Sequence, residues 1–587
     1  MTQQIPIDIA KDSLIPIIVG VTGHRYITSR NEPVIRVVFE ELDRKYPNTP
    51  IVVLSPLAEG SDRLVSQIAL ETPRKTGAAN SLICPLPLTL EEYEKDFNPE
   101  SKKEFQNLLN KASGYFSFPS VMHSSNDREV ERRMQYEQVG KYIARHSHIL
   151  IALWDGEDKS ENIGGTSHIV KLRHENKLDL ELHPFEEIEI GPIYHFPIKK
   201  KENGVVEIGS KREIFPGMRI DGTDYNEILP KQRSTSFYAF LERLEIFNRD
   251  IRMIDDALSE QITINRQPLF KEDDLPSLTQ FHRRLLNQYA VADTMAIRYQ
   301  YSTGRALRTL FILAFLALFC FELYAHIVSF SFILVAYPLI LSIGFLVVHI
   351  AKTRRIQNKY LYFRTLAEFL RVHFFLRVLG ETKIIRPNLR KKDKLDWSGS
   401  VNRIVSAVMS FAELNDRVDA KSSSTQEVPQ QFQIVLNSWV KRQATYFREL
   451  SDLHEKLLER RHFNITVFFL AGPALSLILL ILELFFAQTE WIHMLHPFFI
   501  AAIGTTLAVA ATIGGYTGKT AVAAKVERFR CMSDVFDRAV TELERRLAND
   551  DSTGTRSLLI ELFEIALEEN VDWLISGLEH EIEVPKG

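Results

Sequence analysis

The chain has 587 residues, 45% of them hydrophobic and 25% charged, with a formal net charge of -4. Averages of this kind exclude disorder, a collagen-like chain and a transporter built mostly of membrane spans, and the near-neutral charge speaks against a general nucleic-acid coat. Three cysteines, Cys84, Cys320 and Cys531, lie scattered without metal-type spacing, so neither a disulfide framework nor a zinc site is expected.

The first residues lack a basic run leading into an apolar stretch with a small-residue cleavage site, so no signal peptide is expected and the chain is placed in the cytoplasm at the start. From Ile15 to about Pro197, short β-rich runs alternate with helical stretches. The strands are expected at Ile15 to Val21, Ile51 to Ser55, Ser81 to Pro85, His148 to Trp154 and Pro192 to Ile198. Helices are expected at Pro33 to Lys45, Ser61 to Leu70, Glu129 to His146 and Thr166 to Glu175. Such alternation predicts an α/β Rossmann-like domain: a parallel sheet covered on both faces, taking ligands at the carboxyl ends of its strands.

Three polar, glycine-bearing turns follow those strands. After the first comes Gly20-Val21-Thr22-Gly23-His24-Arg25, where glycine permits close backbone approach and Arg25 can fork onto a phosphate. After the second comes Glu59-Gly60-Ser61-Asp62-Arg63, with Ser61 expected to cap a helix whose open N–H groups could take an anion. The fourth strand ends at Trp154-Asp155, and Gly164-Gly165-Thr166 then opens a helix as a second phosphate cradle. Together the three turns predict nucleotide binding. No catalytic residue, metal or cofactor is assigned, and His24, with no partner identifiable in sequence, reads as a hydrogen-bond donor to the ligand.

Beyond this domain the averages break down. A bilayer core of about 30 Å needs roughly 20 apolar residues, and four runs reach that length: Thr309 to Val328, Phe332 to Ala351, Asn464 to Gln488 and Pro497 to Gly518. They read as two hairpins. Arg305 and Arg308, then Lys352, Arg354 and Arg355, then Arg460 and Arg461, then Lys519 and Lys525 flank the spans, while the short turns within each pair carry no Lys or Arg. By the positive-inside rule both turns face outward and both termini are cytoplasmic. Long helices are expected before and after each pair, running into the spans without a break at Lys352. Between the units a connector holds Pro387, the basic run Arg390 to Lys392, a short helix at Val401 to Phe411, and the polar tract Lys421 to Gln426. Glu322 and Glu483 are the acidic residues inside the apolar runs, in the outer half of their spans. The fourth span is rich in small residues, among them Gly504, Ala508, Thr512, Gly514 and Gly515, a composition that favours close helix packing over a pore lining.

The segments GVTGHR, PLAEGSDR, LPLTLEEYEKDF and YIARHSHILIALWD, with the later GGT and GPIYHF, resemble the SLOG superfamily, Rossmann-like domains that include LOG-type phosphoribohydrolases and the amino-terminal region of melastatin-type channels. The membrane part resembles the SLATT family of two-span effectors that accompany SLOG domains and nucleotide second-messenger synthases in bacterial conflict systems. Its cues are Ala292-Asp293, Tyr299-Gln300-Tyr301 and the closing Glu568-Glu569-Asn570-Val571-Asp572-Trp573. The resemblance implies nucleotide recognition in a pocket lined by Gly23, His24, Arg25, Glu59, Gly60, Asp62, Arg63, Gly164, Gly165 and Thr166, with Ser61 and Asp155 of the same turns counted among the ligand-binding residues. LOG-type hydrolases follow their GGxGT turn with catalytic glutamates, whereas here Ser167, His168 and Ile169 follow Thr166, which favours a sensor over an enzyme.

The expected organisation is therefore a nucleotide-binding domain over 1–225, a helical connector over 226–300, a first transmembrane hairpin with flanking helices over 301–380, a connector over 381–431, a second hairpin over 432–547, and a carboxy-terminal helix over 548–587. The expected function is a multi-pass sensor-effector of the bacterial inner membrane. It would form a homo-oligomer, bind a nucleotide-derived signal made by an associated enzyme, and permeabilise the bilayer in antiphage defence. A membrane-tethered nucleotide hydrolase using Glu59 or Asp62 and a nucleotide-gated channel are the alternatives.

Overall fold

The computed structural model describes residues 13–27, 32–76, 80–119, 128–157, 163–175, 177–178, 191–200, 206–216, 228–266, 279–328, 330–381, 385, 396–419, 428–486 and 489–579. Pro387, the Arg390 to Lys392 run and the Lys421 to Gln426 tract lie outside them. In chain order the first elements are β1 (Ile17–Gly23), α1 (Glu32–Lys45), β2 (Ile51–Leu54), α2 (Ser61–Glu71), β3 (Ser81–Leu86), α3 (Leu90–Tyr93), α4 (Pro99–Lys111), β4 (Gly114–Ser117), α5 (Arg128–His146), β5 (Ile149–Trp154) and α6 (Thr166–His174). Next come β6 (Ile193–Lys200), β7 (Val206–Ile208), β8 (Arg212–Ile214), α7 (Ile228–Arg252), α8 (Asp256–Arg266), α9 (Gln280–His326), α10 (Ser331–Thr353), α11 (Ile356–Val378) and α12 (Asp396–Asp419). The chain closes with α13 (Val428–Val435), α14 (Lys441–Phe486), α15 (Glu490–Lys519), α16 (Val522–Ala548) and α17 (Ser552–Glu579).

The chain divides into two compact units, the first drawn from 1–260, 278–287 and 392–423, the second from 261–277, 288–391 and 424–587. In the first, the strands run β4-β3-β2-β1-β5-β6-β7, with β8 also on β6. Every pairing from β4 to β6 is parallel, and only β7 and β8 pair antiparallel, both on β6. Strand β5, read ILIALW, is buried along its whole length, as is the IIVGV part of β1. Burial on both faces is why these strands read as continuous apolar runs instead of alternating ones. Buried Arg173 ties the sheet to its helices: its guanidinium donates to the carbonyls of Ala144, Ser147, His148 and Gly191. Asn248 of α7 plays a similar role beside β1, accepting from Ile15 N at 2.9 Å and donating to Ile15 O at 2.8 Å.

The helix expected at Val401 to Phe411 extends over Asp396–Asp419 and belongs to the first unit. Leu414 joins the core under β4 and α5, with Phe411 and Val418 packed against it. Arg417 lies over the rings of Phe116, Phe118 and Tyr142.

The elements described in the second unit are all helices. Among the described residues four helices, one of which begins in the first unit, are long and apolar enough to cross a membrane, and only 11% of the most apolar window of each is buried. Helices of a soluble core would bury that surface; here Phe332, Leu484 and Phe485 stand exposed. The first and third spans continue unbroken from long polar helices, as α9 and α14. The second and fourth do not, against expectation. Each stops at one left-handed residue that is not glycine, Arg355 (φ 49°) between α10 and α11, and Ala521 (φ 48°) between α15 and α16. Helix α9 runs antiparallel to both α10 and α15: Leu310 packs near Val348 and Phe321 near Tyr337, while Phe311 meets Tyr516 and Glu322 lies over Gly504.

Candidate functional site

Strand order reverses between β1 and β5: β2, β3 and β4 lie to one side of β1, β5 and β6 to the other. The carboxyl ends of β1 and β5 therefore open a crevice where the two following loops part in opposite directions. Gly23 and His24 stand at one of these ends, Asp155 at the other.

Glycine is required twice here. A Cβ on Gly23 would sit 2.3 Å from Ser61 Oγ and 2.8 Å from Leu153 O, so the chain can pass between β5 and α2 only without a side chain. Gly60 has φ +80°, and a Cβ there would lie 2.3 Å from Arg25 O. Gly60, not Ser61, is the N-cap of α2, and it supplies no side-chain cap. Ser61 is instead consumed by the backbone: its N–H and hydroxyl both donate to His24 O, at 3.1 Å and 2.7 Å. The N–H groups of Asp62 and Arg63 keep no intrahelical acceptor, as any first turn dictates.

His24 has a partner that its place in the sequence conceals. Its Nε2 lies 3.3 Å from Asp155 Oδ2 and 3.3 Å from the Asp155 backbone nitrogen. The neutral ring can accept from that N–H, and the protonated ring can pair with the carboxylate. The ring also stacks on exposed Tyr26, centroids 4.9 Å apart.

Asp62 is buried, and burial pushes its carboxyl up to about 7, against the Ala58 N–H bond and the charges of Arg25 and Arg63. Arg63 is turned inward. It donates to Leu57 O at 3.1 Å, Ser101 Oγ at 2.8 Å and Glu104 at 2.8 Å, and lies 4.6 Å from the Phe97 ring centre. It thus holds the 55–60 turn, in which buried Leu57 takes φ 57°. Its Nη2 and the buried Tyr93 hydroxyl have no partner among the described residues. Both can donate to an added acceptor. Glu59 accepts from Ser101 Oγ at 2.5 Å.

Exposed Arg25 lies 5.8 Å from the ring centre of Tyr136, whose hydroxyl donates to Asp96, as does Arg132. Burial raises Tyr136 above the usual phenol range, with Asp96 adding to it. The same turn of α5 abuts the second glycine cradle: a Cβ on Gly164 (φ +80°) would lie 3.0 Å from Arg133 O and 3.0 Å from Glu137 N. Gly164 N donates to His168 Nδ1 at 3.2 Å, and Gly165 caps α6 without a side-chain bond. The structure thus brings the 23–25, 59–63, 155 and 164–166 groups to the carboxyl-end side of one sheet. Tyr26, Tyr93, Asp96 and Tyr136 join them although no turn motif marks them. His195 does so too, lying near Gly156 and bonded to Trp154 O at 3.0 Å. Among the described residues no three His, Cys, Asp or Glu side chains gather as metal ligands would.

In the second unit, Glu322 pairs with His326 one helical turn away at 3.6 Å, and Glu483 of α14 with His496 of α15 at 3.2 Å. Small residues of α15 meet neighbouring helices: Gly504 faces the Glu322 carboxylate, Gly515 faces Phe311 and Gly514 faces Ile465.

Comparison with family models, with curated proteins and with solved structures finds no match for this chain.

Proposed function

We propose that the chain is a membrane-bound sensor-effector whose Rossmann-like, SLOG-type domain binds a nucleotide-derived signal and whose two transmembrane hairpins then permeabilise the bilayer. The observation that carries the reading is the convergence, beside the strand-order reversal, of two helix N-termini without side-chain caps, α2 and α6, with Arg25 and the His24 and Asp155 pair. Open N–H groups and a guanidinium are the donors a phosphate needs, and exposed Tyr26 offers a face for a base. The exposed apolar helices supply the effector. In this account the chain lies in a bacterial inner membrane with both termini cytoplasmic, acts as a homo-oligomer, and takes its signal from a partner synthase in antiphage defence. The signal must bind the active arrangement more tightly than the resting one.

Dye-loaded liposomes carrying the protein test this: leakage should require both protein and the right nucleotide. Tightness across a broad panel of cyclic nucleotides and ADP-ribose derivatives would contradict it. A second reading, a tethered nucleotide hydrolase, is favoured by the Asp62 carboxyl lying near neutrality. Release of free base from nucleoside monophosphates, abolished by Glu59→Gln or Asp62→Asn, would establish that reading in its place.

A further inference from the structure

The two helix breaks in the membrane unit are built alike but differ in charge. After left-handed Arg355, the fourth residue on is Lys359, whose ammonium donates to the Tyr299 hydroxyl at 3.2 Å and lies over the Tyr299 ring. After left-handed Ala521, the residue in the same position is Lys525. The ammonium of half-buried Lys525 has no hydrogen-bond or ion-pair partner among the described residues, and it feels the like charges of Arg461 and Arg528. Arg461 comes from α14, donates to Thr520 Oγ1 at 3.0 Å and lies 4.9 Å from the Tyr516 ring centre. Arg528 is joined to Glu569 by its side chain and backbone carbonyl. The first turn of α16 carries no acidic residue and no side-chain cap. Arg528 has the Glu569 carboxylate, but Lys525 and Arg461 have no carboxylate partner among the described residues; their like charges repel, and a bound anion would relieve that cost. The place decides which anion: α15, the fourth helix long and apolar enough to cross a membrane, ends at Lys519, and a helix crossing there would set the cluster at headgroup depth.

We propose that Lys525 and Arg461, with the open first turn of α16, form a phosphate site that holds the headgroup of an anionic phospholipid at the break between α15 and α16. Occupancy would brace the left-handed Ala521 junction in a bilayer rich in anionic lipid. Lys359 marks the contrast, since its ammonium is already satisfied by Tyr299.

The full chain in detergent, titrated with phosphatidylglycerol or phosphatidylcholine and weighed by native mass spectrometry, provides the test. Wild type should retain phosphatidylglycerol preferentially, and Lys525→Gln should weaken that retention about fivefold. Lys525→Arg should preserve it, and Lys359→Gln should leave it unchanged; an unaltered circular-dichroism spectrum certifies each variant as folded. Equal retention of the two lipids, or equal losses in Lys525→Gln and Lys359→Gln, would overturn the site. Inorganic phosphate provides the other arm: if it binds in a Lys525-dependent way while the lipids show no preference, the lipid assignment is overturned in favour of a free phosphate.

Discussion

Asp62→Asn isolates the cost of the buried carboxyl at the centre of the candidate site. Burial lifts Asp62 from its ordinary 3.8 to about 7, so the folded chain holds a proton that the unfolded chain releases. Stability from this group is complete below about pH 4 and is lost as pH rises towards about 7. Each tenfold in proton affinity is worth about 1.4 kcal/mol, so ionised Asp62 costs the fold about 4 kcal/mol at pH 8 relative to the acid form. Asparagine keeps the shape and can still accept from Ala58 N–H, but carries no charge. Thermal unfolding of the full chain, followed through its first-unit transition, should show the variant roughly 8 °C more stable at about pH 8 and nearly equal to wild type at about pH 4. A variant that melts lower at both pH values, or that keeps the wild-type pH slope, would refute the assignment of that slope to Asp62.

Two further perturbations probe the geometry. Gly60→Ala combines a left-handed backbone with a Cβ 2.3 Å from Arg25 O; about 2 to 4 kcal/mol of stability should be lost, and nucleotide retention with it, as read by thermal unfolding and by mass spectrometry of bound ligand. Gly504→Ala would place a methyl 2.6 Å from the Glu322 carboxyl carbon. Its cost should largely vanish in a Glu322→Ala background, a coupling of about 1 kcal/mol or more in a double-mutant cycle on the detergent-solubilised protein; strict additivity would place the two groups apart.

Strands β1, β2, β3 and β5 are legible in the sequence because burial on both faces leaves apolar runs between turn residues, and β6, read IYHFPIKK, is legible from its β-branched and aromatic residues after Gly191-Pro192. Strand β4 is not: its four residues bury only Phe116, too little signal to stand out. Helix α4 had a readable start that the strand and helix pattern passes over, Asn98 before Pro99, and the Asn98 side chain indeed accepts from Glu100 N and Ser101 N. The glycine turns mark the site, yet what each side chain does there depends on tertiary contacts. Ser61 looks like a cap but is spent on His24 O, and Arg63, expected to line the nucleotide pocket, faces Ser101 and Glu104. His24 finds Asp155 far along the chain because β1 and β5 are neighbours in the sheet. The breaks at Arg355 and Ala521 had no glycine or proline to announce them, since neither residue type favours a left-handed backbone. Helix α12 is visible as an amphipathic stretch, but nothing in its sequence tells that it packs under β4.

Nucleotide-gated permeabilisation is read out by dye efflux from liposomes bearing the full chain, recorded on addition of nucleotides, with Arg25→Ala as the paired variant. Efflux should follow one nucleotide class and be at least tenfold less with Arg25→Ala, the loss of a charge-assisted contact worth about 1.5 to 3 kcal/mol. Efflux that is independent of nucleotide, or equal in both proteins, would contradict it.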